Sequence, residues 1–61
     1  MKNFIELTDK DTGAILVNVN HITFIEKDPV EGVLVHTISS GIINPMEEYL
    51  QIKLLIEKSY L

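Results

Sequence analysis

The chain contains no cysteine and no arginine. Without cysteine it can form neither a disulfide nor a thiolate zinc site. Without arginine it lacks the side chain that best reads guanine edges. Nine acidic residues against five lysines leave a formal net charge of −4, with the two signs interspersed. Such a charge repels phosphate and argues against nucleic acid as a partner, since nucleic-acid binders are usually basic on at least one face. Long apolar runs are also missing. Nothing approaches the roughly 20 residues that span a bilayer, so no membrane insertion is expected. The opening Met1-Lys2-Asn3-Phe4-Ile5-Glu6-Leu7 is too short and too interrupted to be a secretory leader. The expected location is the cytoplasm.

What is present is a folded domain in miniature. The length is 61 residues and the apolar fraction is 46%, too high for a disordered chain. One domain, residues 1–61, is the only sensible count. A domain this small buries only about 60% of its unfolded surface. Proteins of this size often add a disulfide, a metal or a partner chain. Cysteine is absent and histidine occurs only twice, so self-association is the remaining device.

Apolar alternation predicts five strands, with a β-meander over about 2–43. In the first, Ile5 and Leu7 point one way while Phe4, Glu6 and Thr8 point the other. Turns are expected at Asp9–Gly13, near Asn20, at Asp28–Gly32 and at Ser39–Gly41. Left-handed asparagine is the expected device at Asn20. A helix is predicted over about 45–60, with Asn44 as N-cap, Pro45 in the first turn and Glu47 reaching back to the Asn44 amide. The expected fold class is α+β: an antiparallel four- to five-stranded bent sheet, or a small SH3/Sm-like barrel, with one C-terminal helix.

On a helical wheel Met46, Tyr49, Ile52, Ile56 and Tyr60 form one stripe, expected to pack on the sheet. Leu50, Leu54 and Leu61 form a second stripe that a single sheet does not also bury. These three leucines are the candidate interface of a homo-oligomer, or of a groove for another protein. Leu55 falls on neither stripe.

Chemistry finds little purchase. The Asp9-x-Asp11-x-Gly13 segment lacks the third ligand of a calcium loop, its glycine comes one residue early, and Asn20 stands where the bidentate glutamate belongs. His21 and His36 lack a third metal ligand at any recognised spacing. Ser39 and Ser40 read as turn residues, and Glu47 and Glu48 diverge by about 100° on a helix, too far to share a pocket. No cofactor and no enzymatic activity are expected. Phe4 and Phe24, the aromatics on strands, are assigned to the core, which leaves a base-stacking sheet face short of rings.

Leu7-Thr8, Leu16-Val17-Asn18, Ile22-x-x-Ile25-Glu26, Gly41 before a short strand, and the helix from Glu47 to Ile56 together resemble the small FlbD-type flagellar and swarming-motility proteins. The resemblance spans most of the chain and implies a β-rich front, a C-terminal helix and no catalytic residues. The chain departs from that family at Lys27–Gly32 and in a longer first turn.

Overall fold

The computed structural model describes residues 3–60. Five strands precede one helix: β1 (Phe4–Asp9), β2 (Gly13–Asn18), β3 (Ile22–Asp28), β4 (Gly32–Thr37), β5 (Gly41–Ile43) and α1 (Tyr49–Lys58). All pairings between strands are antiparallel. The α+β class, the strand count and the C-terminal helix are as the sequence predicts.

The three hairpins share one plan. Each closes across a five-residue span ending in glycine: Asp9↔Gly13, Asp28↔Gly32 and Thr37↔Gly41. The first residue organises the loop by accepting local N–H bonds. Asp9 Oδ2 accepts from the amides of Asp11 and Thr12, each at 3.1 Å. Asp28 Oδ2 accepts from Val30 and Glu31 at 3.0 and 2.8 Å. Thr37 Oγ1 accepts from Ser40 at 3.0 Å. Gly13 and Gly32 sit at φ of +90° and +86°, where a side chain would be strained.

Among the described residues the strands form two sheets, β1-β2 and β3-β4-β5, and no closed barrel. The meander breaks between β2 and β3, where a 3-10 turn, Val19–His21, redirects the chain. The corner near Asn20 is real, but its device differs from the expected one. Asn18 Oδ1 accepts from the Asn20 amide at 2.9 Å, and the one non-glycine residue with positive φ among those described is Asn3.

The sheets are joined by the segment after β5. Asp9 and Pro45 form an antiparallel bridge, flanked by Lys10 N donating to Asn44 O at 3.1 Å and Met46 N to Thr8 O at 2.7 Å. In that pattern residue 45 needs no N–H, so proline costs the ladder nothing. This corrects the predicted helix start. Pro45 makes an isolated β-bridge, Met46 and Glu47 form a bend, and Glu47 turns to Thr8 rather than to Asn44. The helix begins at Tyr49, with Glu48 as an N-cap that makes no side-chain capping bond.

Leu7, Val35 and Ile52 are the largest wholly buried side chains, one each from β1, β4 and α1. The core therefore lies where both sheets meet the helix. Ile5, Val17, Val19 and Ile43 complete it. The alternation predicted for β1 holds, with Ile5 and Leu7 inward.

Candidate interaction surface

The helix packs through Ile52, with Leu55 and Ile56 half-buried against the core. At 100° per residue these three span one side of α1, and Leu50 and Leu54 stand diametrically opposite. Leu50 is 69% exposed and Leu54 56%. The second stripe thus faces solvent where the sequence places it. Leu61, its third predicted member, lies outside the described residues. The first stripe is only partly correct. Met46 and Tyr60 are 66% and 60% exposed and Tyr49 is at the surface, whereas Leu55, assigned to neither stripe, packs on the core. The reason is the late helix start, which takes Met46 out of the helical register and centres the buried side on Ile52, Leu55 and Ile56.

Leu50 also borders a cleft of about 700 Å³ at the helix N-terminus. Val33, Pro45, Met46 and Tyr49 line it, with Lys10 and Lys27 beside them. Apolar surface therefore continues from the helix ridge over Met46 and Pro45 to Val33 at the start of β4.

Beneath this surface Glu47 is fixed in place. Its Oε1 accepts from Thr8 N at 2.8 Å, and its Oε2 from Thr8 N at 3.1 Å and from the Thr8 hydroxyl at 2.8 Å. Burial works to raise the Glu47 pKa, but the Thr8 amide and hydroxyl outweigh it and hold the carboxyl below its ordinary range. Asp9 is held low as well, first by the Thr12 amide and then by that of Asp11. Its carboxylate is occupied in organising the turn, as the hairpin reading requires.

The two histidines are not brought together. His21 Nδ1 lies 3.1 Å from Ser39 Oγ. His36 Nε2 lies 3.0 Å from Glu26 Oε1. No cluster of three or more His, Cys, Asp or Glu side chains able to hold a metal occurs among the described residues. The His21–Ser39 contact pairs a base with a hydroxyl, yet among the described residues no carboxylate bonds His21 to orient it. Its structural effect is to tie the start of β3 to the β4–β5 turn.

Phe24 and Phe4 are corrections. Phe24 is 54% exposed and Phe4 38%. A register shift between Ile22 and Phe24 rephases β3. Ile22 and Ile25 turn inward together, and Phe24 faces out beside its partner His36. The two rings stack with centroids 4.0 Å apart. The signal was available in the Asp28–Gly32 turn, which sets Phe24 opposite His36 by simple counting.

No described helix is long and apolar enough to cross a membrane. Comparison with protein-family models, with curated proteins and with solved structures finds no match for this chain.

Proposed function

We propose that the protein is a non-enzymatic interaction module that associates with further copies of itself through α1. The observation that carries this is the exposure of Leu50 and Leu54 on the side of the helix opposite Ile52. Two leucines one helical turn apart, continuous with the Met46–Tyr49 cleft, form an apolar ridge of the kind that marks an interface. The thin core supports the same reading, because a second copy would add the burial that a chain of this length lacks.

Light scattering on a sizing column tests it. A mass above the 6.9 kDa of one chain is expected at micromolar concentration. Combined Leu50→Glu and Leu54→Glu replacement should return the mass to one chain while circular dichroism keeps the folded signature. A wild-type protein that stays monomeric overturns the proposal. So does a double variant that unfolds as a monomer, since the leucines would then serve the fold.

A second reading, a nucleic-acid-binding module, draws on the exposed Phe24 ring, which offers a stacking surface. Glu26 beside His36 and the net charge oppose it. Its signature would be a salt-dependent mobility shift with mixed RNA or DNA. The resemblance to FlbD-type proteins would make the module a motility accessory, with loss of swarming on gene deletion as its test.

A further inference from the structure

The open side of β2 is a second, separate surface. β2 pairs with β1 alone among the described residues. Val19 N donates to Asn3 O, so alternation along the ladder turns the amides and carbonyls of Ala14 and Leu16, and the amide of Asn18, away from β1; the Asn18 carbonyl belongs to the 3-10 turn. Of the other edges, β1 is covered by residues 44–47, β5 is only three residues long, and β3 has a register shift and the charged Glu26, Lys27 and Asp28. β2 reads Gly-Ala-Ile-Leu-Val-Asn, with no charge, no proline and no bulge. Alongside it runs a cleft of about 600 Å³. Ile15 and Leu16 form one wall, and Thr37, Ser39 and Ile42 the other. Leu16 and Ile42 are 57% and 60% exposed.

We infer that this slot receives a single extended peptide segment of another protein, added to β2 as a further strand. A row of free backbone donors and acceptors beside apolar side chains is what strand addition requires. The occupant is one strand and not a second copy. The far wall is itself the β4–β5 hairpin, and every strand of the described residues is already held in a hairpin, so a second copy has no free strand to lend. The occupant is uncharged or basic. The one carboxylate lining the slot, Asp9, and the net charge of −4 both disfavour an acidic peptide.

The test uses the full chain, labelled with nitrogen-15, and a blocked octapeptide of alternating threonine and valine with a lysine at each end. Amide shifts should be confined to Ala14–Asn18 and the facing Ser39–Ile42. Leu16→Lys places a charge on the edge at an exposed position. It should keep the dispersed spectrum of a folded protein and weaken binding tenfold or more. Two further peptides, N-methylated at alternate residues along one edge or the other, probe the backbone without altering the protein. Methylation of one edge should abolish binding and methylation of the other should spare it. The inference is overturned if millimolar peptide shifts nothing, if the shifts fall on α1 or β3, or if both methylated peptides bind like the parent.

Discussion

Glu47 carries more structure than its place in the sequence suggests. It accepts the Thr8 amide and hydroxyl at once, and so satisfies a strand donor that no neighbouring strand reaches. Charge-assisted bonds are the stronger kind, so Glu47→Gln should cost about 1 kcal/mol at neutral pH. The pH dependence follows from the sign of the shift. A carboxyl held low in the folded state stabilises that state above its ordinary value of 4.5. The stabilisation fades as pH falls through that value and then through the depressed folded one. Urea denaturation of both proteins should show a gap at neutral pH that closes in acid. A gap that persists in acid would mean that packing, not charge, is what the glutamine loses. None of this was legible in the sequence. Asn44-Pro45-x-Glu47 is a good local helix start, and it lost to a partner 39 residues away. Leu50 and Leu54 were legible, because helical period alone places them opposite Ile52.

At the scale of elements, the hairpins were the readable part. A leading Asp or Thr with glycine four residues later encodes both the turn and the register, and each device acts within five residues. The helix was readable in existence and not in its first turn. Its start is also poorly finished, since Glu48 makes no side-chain capping bond and exposes the first amides. Glu48→Ser should supply that acceptor and stabilise the fold by about 1 kcal/mol. For a chain of this size that is a rise of about 4–8 °C in the melting temperature, measurable by circular dichroism. An unchanged melting temperature would show that α1 is held by Ile52, Leu55 and Ile56 alone. The rephasing of β3, which sends Phe24 outward, escaped the alternation rule because one irregular residue inverts every later assignment.

The whole molecule is two small sheets and a helix meeting at Leu7, Val35 and Ile52. Its class was legible because strand alternation and helical period survive in any arrangement of the pieces. The break between the sheets was not, since it depends on how the 3-10 turn after Asn18 aims the chain. The segment that rejoins them, residues 44–47 on 8–10, has a consequence in time. Every hairpin closes over a handful of residues and can form within microseconds. The clasp must bring together positions 34 to 39 apart, and it meets the full entropy of closing that loop. It is therefore expected to close in the last step of folding, after the barrier. Stopped-flow measurements should find that Glu47→Gln speeds unfolding and leaves the folding rate nearly unchanged. A slowed folding rate would instead place the clasp in the nucleus. If the clasp is late, the C-terminal third of the chain lets go first, and the carboxylate's grip on Thr8 is one of the contacts that lengthen the life of the native state.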